Sequence, residues 1–229
     1  RPCIFLFFYF ASPDSIVGNK TVYTYRKALG EQLANENNIT ADVVVPIPDS
    51  GVSAAIGFSQ KSFIPFELGI IRSHYVGRTF IEPSQTIRQF GVKLKHSVNK
   101  SCIENKKVIL IDDSIVRGTT ASKIVKMVYE AGAKEVHLGI SCPPIMHPDF
   151  YGIDTPNYNE LIASQSGLKE MTKLVGAKSL FFLSLAGTYK AMGCDKRNPE
   201  TPQFTDHCFT GEYPIDVCEI LELNKKINE

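Results

Sequence analysis

The sequence has no tryptophan, and its six cysteines are scattered without a Cys-x-x-Cys pair. Cysteines spaced in this way indicate no disulfide framework, so a reducing compartment is expected and the protein is predicted to be cytoplasmic. The apolar run at residues 4–10 is too short to span a bilayer and lacks the flanks of a signal peptide. It is interpreted as part of a buried strand over residues 3–10.

Charge of either sign is not in excess, because 25 Lys and Arg residues oppose 24 Asp and Glu residues and leave a net charge of +1. A chain so balanced offers no general electrostatic attraction to nucleic acid or to an anionic membrane surface. Neither class of partner is therefore expected. Internal repeats and low-complexity segments are also absent from the sequence, which favours an ordinary folded domain.

The chain of 229 residues, 43% of them hydrophobic, is long enough for one large domain with a sizeable core. Apolar runs typical of buried strands alternate with helical patterns, which predicts an α/β fold with a doubly wound, mostly parallel sheet. Residues 1–195 are predicted to form this domain. Residues 196–229 begin with a segment rich in Pro, Thr and Asp and are predicted to form an irregular tail, packed on the domain or partly disordered. The predicted strands of the domain are residues 42–47, 68–72, 108–111, 136–141 and 180–183. Helices are predicted after each of the last three strands, at residues 121–131, 157–164, 167–175 and 184–192.

Residues 108–120 carry the clearest chemical pattern in the chain. Four apolar residues predict a buried strand, Asp112 and Asp113 end it, and a loop with Ser114, Gly118 and two threonines leads into a helical pattern. The start of a helix after such a loop favours a phosphate, through free N–H groups and the helix dipole. Paired acids suit sugar hydroxyls or a hydrated Mg²⁺. The pattern therefore predicts a ligand with a phosphate, a ribose and a metal, and the competing interpretation is a plain capped turn.

A second strand, turn and helix follow the same plan at residues 42–60, with Asp49, Ser50 and Gly51 in the turn. This turn is interpreted either as a second phosphate loop or as a simple connection. Because ligands of doubly wound sheets bind beyond the carboxyl ends of the strands, Ser50, Arg72 and Asp112 are expected to meet at one site.

Residues 73–85 are rich in hydrogen-bond donors and contain a single glycine, Gly77. Such a segment is interpreted as a loop that closes over a charged ligand, and the alternative interpretation is an exposed hairpin. Arg26, at the start of a helix predicted over residues 25–35, is expected either to lie on the surface or to reach a phosphate.

The run DDSIVRGTT at residues 112–120 resembles the signature of type I phosphoribosyltransferases, the enzymes that use phosphoribosyl pyrophosphate. Its wording is most similar to their amidotransferase branch, and the resemblance extends from Pro2 to about Pro214. Further runs that resemble this branch are PIPDS (46–50), YVGRTFI (75–81), AGAKEV (131–136), FYGID (150–154) and ELIA (160–163).

The resemblance implies transfer of the phosphoribosyl group from phosphoribosyl pyrophosphate to ammonia, which gives 5-phosphoribosylamine and diphosphate at the start of purine synthesis. It also implies purine nucleotides as inhibitors and a homo-oligomer. Mg²⁺ would be held by Ser50, Asp112 and Asp113, and Arg72, Tyr75 and Arg78 would act in the closing loop. The implied substrate contacts are Asp49, Ser50, Gly51, Asp112, Asp113, Ser114, Val116, Arg117, Gly118, Thr119 and Thr120.

The chain departs from this branch in three respects. Nothing in it corresponds to the N-terminal glutaminase domain, so ammonia is expected from a missing domain, a partner or solution. Cys3 matches the first of four cysteines that ligate a [4Fe–4S] cluster in one branch of the family, but Asp149 stands at the second position. The tail keeps the run CFTG at residues 208–211 and lacks the paired cysteines before it, so a cluster is not expected. Leu6 stands where a glutamate is expected, and we have no physical account of it.

Two other functions stay open at the level of sequence. The shared signature also fits a purine-salvage phosphoribosyltransferase, although no base-binding hood is visible. A non-catalytic module that binds phosphoribosyl pyrophosphate or purine nucleotides is the other alternative, for which the basic residues Arg88, Lys93 and Lys95 offer a contact surface.

Overall fold

A computed structural model describes residues 1–72, 96–153, 155 and 157–217. The predicted closing loop, with Tyr75 and Arg78, lies outside the described residues, as do the basic residues 88–95 and the end of the tail. Among the helices that are described, none has the length and apolar character needed to cross a membrane.

The first half of the described chain alternates short strands with two long helices. A π-helical turn at Leu6–Phe10 comes first, and the elements that follow are β1 (Ile16–Val17), β2 (Lys20–Thr21), α1 (Val22–Glu36), β3 (Val43–Pro46), α2 (Val52–Ser62), β4 (Ile70–Arg72) and β5 (His96–Val98).

The second half supplies β6, β7 and β8, which join β3 in the central sheet. Its elements are α3 (Lys100–Ile103), β6 (Lys107–Asp112), α4 (Thr119–Glu130), β7 (Glu135–Ile140), a 3₁₀ turn (Tyr158–Glu160), α5 (Ile162–Gln165), α6 (Leu168–Val175), β8 (Ser179–Phe182), α7 (Leu185–Ala191) and α8 (His207–Thr210).

The central sheet has the order β3-β6-β7-β8, and every neighbouring pair is parallel. Beyond β3 the chain returns after α2, where the Val44 N–H donates to Pro65 O at 2.8 Å and the Glu67 N–H donates to Val44 O at 3.0 Å. After β3 the chain thus runs along the edge of β3 that faces away from β6, and it then crosses over β3 to form β6 on the opposite edge. This reversal confirms the doubly wound fold and places a switch point, where ligands of such sheets bind, between β3 and β6.

The helices cover both faces of this sheet. Helix α2 packs on β3 and β6, whereas α4 packs on β7 and α6 on β8. Because crossover connections are right-handed and the direction of travel reverses at β3, α2 lies on the opposite face from α4 and α6. In α4 the residues Ala121, Ile124, Val125 and Val128 are buried at helical spacing, as the sequence predicts.

The prediction of a strand over residues 3–10 is wrong. Cys3 makes one isolated bridge to Thr205, and the π-helical turn Leu6–Phe10 follows. Ile4, Phe5, Phe7 and Phe8 are buried, a spacing that belongs to a helical turn. A short run that is apolar at every position carries no periodicity to separate strand from helix, which explains the error.

Two other predicted elements also differ in detail. Strand β4 lies outside the parallel sheet, because it pairs antiparallel with β5, with Ile70 opposite Val98. The helix predicted over residues 157–164 is broken into the 3₁₀ turn and the short helix α5.

The described part of the tail, residues 196–217, is joined to the start of the chain. The Ile4 N–H donates to Thr205 O at 3.0 Å, and the Thr205 N–H donates to Pro2 O at 2.9 Å. Asp206 is buried and accepts hydrogen bonds from Tyr189 Oη at 2.8 Å and Arg197 Nε at 2.7 Å. These bonds place Cys208 and His207 beside the N-terminal segment.

Candidate functional site

A cavity of about 480 Å³ lies at the carboxyl ends of β3 and β6, at the switch point of the sheet. Residues 112–121 line it without a break, together with Pro48 and Ser50 from the loop after β3. The fold therefore brings the two loops that the sequence singles out to one place. Other segments complete the wall, with Phe5, Tyr9, Phe10, His96, Ile124, Ile153 and Thr155.

The acid pair Asp112 and Asp113 lines this cavity at the point where β6 ends. Asp112 Oδ1 accepts a hydrogen bond from Asp113 N–H at 2.9 Å and lies 3.5 Å from the Ser50 hydroxyl, and Ser114 Oγ donates to Asp113. Burial, followed by the neighbouring charge of Asp113, raises the pKa of Asp112 well above its ordinary value. Two carboxylates held so close favour a bound proton, a cation or hydroxyl donors.

The loop that follows the acid pair ends at Gly118, which has a φ of +74° and is the N-cap of α4. A residue with a side chain rarely adopts this φ, so any substitution here is strained. A Cβ at this position would also lie 2.8 Å from Ile162 Cδ1. Because the N-cap is a glycine, it has no side chain that could cap the first turn of α4. Its N–H groups are therefore suited to an anion such as a phosphate.

The loop at residues 47–51 approaches the end of β6 closely. Ile47 N–H donates to Ile111 O at 2.8 Å, and Gly51 N–H donates to Ile47 O at 3.0 Å. A Cβ at Gly51 would lie 2.2 Å from Ile111 O, so only glycine permits this approach. Of the predicted substrate contacts in this loop, Ser50 lines the cavity, whereas Asp49 and Gly51 are not among the lining residues.

Arg72, at the end of β4, forms an ion pair with Asp49. The structure therefore joins the start of the predicted closing loop to the loop at residues 47–51. The two other residues predicted to act with Arg72, Tyr75 and Arg78, lie outside the described residues.

An aromatic wall formed by Phe5, Tyr9 and Phe10 is a feature of the site that sequence reasoning missed, as it also missed His96. Tyr9 and Phe10 are about half exposed, although they belong to an apolar run that the sequence predicts to be a buried strand. No local motif marks these residues, because only the π-helical turn brings them to the cavity.

Arg26 donates hydrogen bonds to the N-terminal turn that carries Tyr9 and Phe10 of the aromatic wall. Its Nε donates to Phe7 O at 2.9 Å and its Nη2 donates to Ala11 O at 2.8 Å, and the side chain is buried. Both roles expected from the sequence are therefore wrong: Arg26 neither lies on the surface nor lines the cavity. It ties the N-terminal turn to α1.

The donor set of the cavity is suited to Mg²⁺ bound together with a substrate. Among the described residues, no group of three or more His, Cys, Asp or Glu side chains forms a complete metal cage. Mg²⁺ typically uses one or two carboxylates and takes its other ligands from water and substrate phosphates. Asp112, Asp113 and the Ser50 hydroxyl match that mode of binding.

The residues near Cys3 do not fit a four-thiolate cluster. Asp149 Oδ2 lies 2.7 Å from His207 Nε2, and Oδ1 accepts hydrogen bonds from the N–H groups of Tyr151 and Ile153. Burial raises the pKa of Asp149, but these hydrogen bonds, that of His207 first, outweigh it and leave the pKa below its ordinary value. A carboxylate in hydrogen bonds to a histidine thus occupies a position that a thiolate ligand would need.

Comparison with known proteins agrees with this geometry. The family model described as phosphoribosyl transferase domain matches residues 19–149. The chain is 60% identical to an amidophosphoribosyltransferase of Rhizobium etli over 215 residues, which is 93% of this chain and 43% of the relative. It is 51% identical to an amidophosphoribosyltransferase of Methanocaldococcus jannaschii over 94% of this chain and 44% of the relative.

A solved structure shows the same likeness. The glutamine phosphoribosylpyrophosphate amidotransferase of B. subtilis, complexed with ADP and GMP, superimposes with a TM-score of 0.85 at 48% identity and covers 94% of this chain and 47% of that one. The chain spans less than half the length of these relatives. On the family match, together with the two loops and the acid pair of the cavity, the chain belongs to the phosphoribosyl transferase domain family.

Proposed function

We propose that the chain transfers the phosphoribosyl group of phosphoribosyl pyrophosphate to ammonia, as the transferase part of an amidophosphoribosyltransferase. The products are 5-phosphoribosylamine and diphosphate. The observation that carries the proposal is one cavity lined by a helix N-terminus, an acid pair and a second loop at Ser50. Support for ammonia as the acceptor comes from the relatives, which are named amidophosphoribosyltransferase at 60% and 51% identity.

Each part of the substrate has a matching group in this cavity. The 5-phosphate binds the N–H groups at the start of α4, with Thr119 and Thr120 beside it. The ribose hydroxyls donate hydrogen bonds to Asp112 and Asp113, which accept them as carboxylates. The diphosphate lies at the Ser50 loop. When Mg²⁺ is bound by Asp112, Asp113 and Ser50, it supplies positive charge for the diphosphate oxygens.

The reaction exchanges one bond at the anomeric carbon. The bond to the diphosphate oxygen breaks, the nitrogen lone pair of ammonia forms the new C–N bond, and the resulting ammonium group loses a proton to solvent. Positive charge develops on the ribose ring beside the acid pair, and negative charge develops on the leaving diphosphate. Arg72, which forms an ion pair with Asp49 next to Ser50, is assigned to the leaving-group side of the site. The aromatic wall of Phe5, Tyr9 and Phe10 keeps water, which competes with ammonia, from the anomeric carbon.

The source of ammonia belongs to the same proposal. We infer that ammonia comes from glutamine through a glutaminase domain or a partner, because the solved relative is named glutamine phosphoribosylpyrophosphate amidotransferase. A relative complexed with ADP and GMP supports purine nucleotides as ligands of the transferase. A cytoplasmic homo-oligomer completes the proposal.

The experiment that tests the function measures diphosphate release from phosphoribosyl pyrophosphate and Mg²⁺. Ammonium chloride at alkaline pH, glutamine, adenine and guanine are supplied in separate reactions. Release with ammonia is the expected result. Release only with a purine base would identify a salvage enzyme, and tight substrate binding without release would identify a binding module.

A matched pair of variants ties the activity to the site. Replacing both acids, Asp112→Asn with Asp113→Asn, is expected to lower ammonia-dependent release at least about a hundredfold, since charge complementary to the transition state is lost. The exposed Asp195→Asn serves as the control. Full activity of the double variant would refute the proposed site.

A further inference from the structure

The segment that contains the 3₁₀ turn Tyr158–Glu160 contacts the loop before α4 at three separate points. Arg117 Nε donates to Glu160 Oε2 at 2.7 Å, and Arg117 Nη2 donates to the same oxygen. The Ile162 N–H donates to Val116 O at 2.8 Å. The Ile162 side chain fills the space beside Gly118, where a Cβ would lie 2.8 Å from its Cδ1. Three consecutive residues of the loop thus contact one segment.

This segment, residues 157–164, is called the brace because hydrogen bonds and a buried side chain fix its own position. Ser164 Oγ donates to Tyr158 O at 2.8 Å, and the Glu160 N–H donates to Asn157 O at 3.1 Å. Leu161 is fully buried in the core between these bonds. Glu160 is therefore carried by a backbone with anchors on both sides.

The Arg117 guanidinium has a protein partner in this arrangement. The resemblance to type I phosphoribosyltransferases implies that Arg117 contacts the substrate, but the structure pairs it with Glu160. The pair is partly exposed, with 50% of the Arg117 side chain and 33% of the Glu160 side chain accessible. Exposed ion pairs contribute little to protein stability, so we expect the effect of this one on the geometry of the loop to exceed its effect on unfolding.

We propose that Glu160 is a positioning residue, which fixes the loop at residues 116–118 through Arg117 and so sets the N–H groups that bind the 5-phosphate. The inference rests on the proposed function and adds a residue to its site. A site that binds an anion through backbone N–H groups depends on their placement, and a displacement of about 1 Å is enough to cost a large factor in binding or rate. Glu160 acts on the phosphate end of the substrate and has no contact with the Ser50 loop among the described hydrogen bonds.

This asymmetry between the two ends of the substrate provides the test. Calorimetry on the 229-residue chain measures binding of ribose 5-phosphate, which requires the loop, and of magnesium diphosphate, which requires the Ser50 side. For Glu160→Gln we expect the Kd for ribose 5-phosphate to rise about tenfold, with the Kd for magnesium diphosphate unchanged. The exposed Glu170→Gln, on the following helix, is the matched control and leaves both unchanged.

A double-mutant cycle separates positioning from a direct contact. Because Glu160 acts through Arg117, the pair Glu160→Gln with Arg117→Gln is expected to weaken ribose 5-phosphate binding no more than Arg117→Gln alone. Glu160→Asp keeps the charge and is expected to recover part of the affinity. In the reaction of phosphoribosyl pyrophosphate with ammonia, Glu160→Gln is expected to raise KM by a larger factor than it lowers kcat. The Tm of Glu160→Gln should stay near that of the unmodified chain.

Three results would overturn the inference. Unchanged binding of ribose 5-phosphate by Glu160→Gln would show that the brace is not needed. Tighter binding would show that Glu160 competes with the phosphate for Arg117. Equal weakening of both ligands would show a general loss of structure. If the unmodified chain binds neither ribose 5-phosphate nor magnesium diphosphate, the proposed function itself fails, and this inference fails with it.

Discussion

The hydroxyl of Ser50 lies 3.5 Å from Asp112 Oδ1, although the two residues are 62 positions apart in the chain. Ser50 follows β3 and Asp112 ends β6, and these strands are neighbours in the sheet. The contact therefore marks the switch point, where two loops with different roles meet over one cavity. It also makes the environment of Asp112 depend on both loops, and this dependence has consequences that can be measured.

The first consequence concerns pH. Burial and the charge of Asp113 raise the pKa of Asp112 well above its ordinary value, so the ligand-free folded protein keeps a proton that the unfolded chain releases at lower pH. The stability from this proton is complete below the unfolded pKa and is lost as pH rises through the folded pKa. The Tm of the ligand-free protein is expected to fall over that interval, and Asp112→Asn should flatten the fall. An identical pH profile for the variant would contradict this account of Asp112.

The second prediction concerns the close approach of the loop at Gly51. Gly51→Ser places a Cβ about 2.2 Å from Ile111 O, so backbone must move, and the free energy of unfolding is expected to drop by about 1–3 kcal/mol. Gly167→Ser is the matched control, because nothing lies within 4 Å of a Cβ there and Gly167 is the N-cap of α6, where serine is favoured. Urea unfolding of both variants measures the difference. Equal stability of the two would argue against so close an approach of this loop to β6.

The third prediction concerns Arg26. Arg26→Met leaves the carbonyl groups of Phe7 and Ala11 without their donor, and an unsatisfied buried group costs about 1–3 kcal/mol. We expect lower stability in urea and a higher KM for phosphoribosyl pyrophosphate, because the turn that carries the aromatic wall loosens. Lys61→Gln, an exposed change on α2, is the control and should alter neither quantity. A destabilised variant with an unchanged KM would separate Arg26 from the site.

The fourth prediction concerns the buried pair of Asp149 and His207, each with 1% of its side chain accessible. The pKa of Asp149 is lowered, so the stability from its carboxylate is present above the unfolded pKa and is lost as the pH falls through the folded pKa. Asp149→Asn should destabilise the protein by about 3 kcal/mol at neutral pH and reduce the loss of stability in acid. Thermal unfolding between neutral and acidic pH, with Asp195→Asn as control, measures both effects. A variant as stable as the unmodified chain would show that the pair does not join the tail to the domain.

Much of the fold follows from local sequence patterns. The sequence predicts a strand at residues 108–111, where β6 lies at Lys107–Asp112, and the helix after it begins within two residues of its predicted start. Buried parallel strands and amphipathic helices have periodicities that neighbouring residues determine. The run at residues 3–10 lacks such a periodicity, and the prediction fails there.

The sequence by itself therefore determined the parallel strands, the two loops and the acid pair, because each depends on residues that are close together in the chain. The tertiary structure decided which segments meet: the aromatic wall beside the acid pair, and the pairing of Arg117 with Glu160, 43 positions away. Contacts between distant segments depend on how the chain folds back over the sheet, and no pattern of neighbouring residues specifies that path. For this reason the sequence marks the phosphate loop, whereas the residue that braces it becomes visible only in the folded protein.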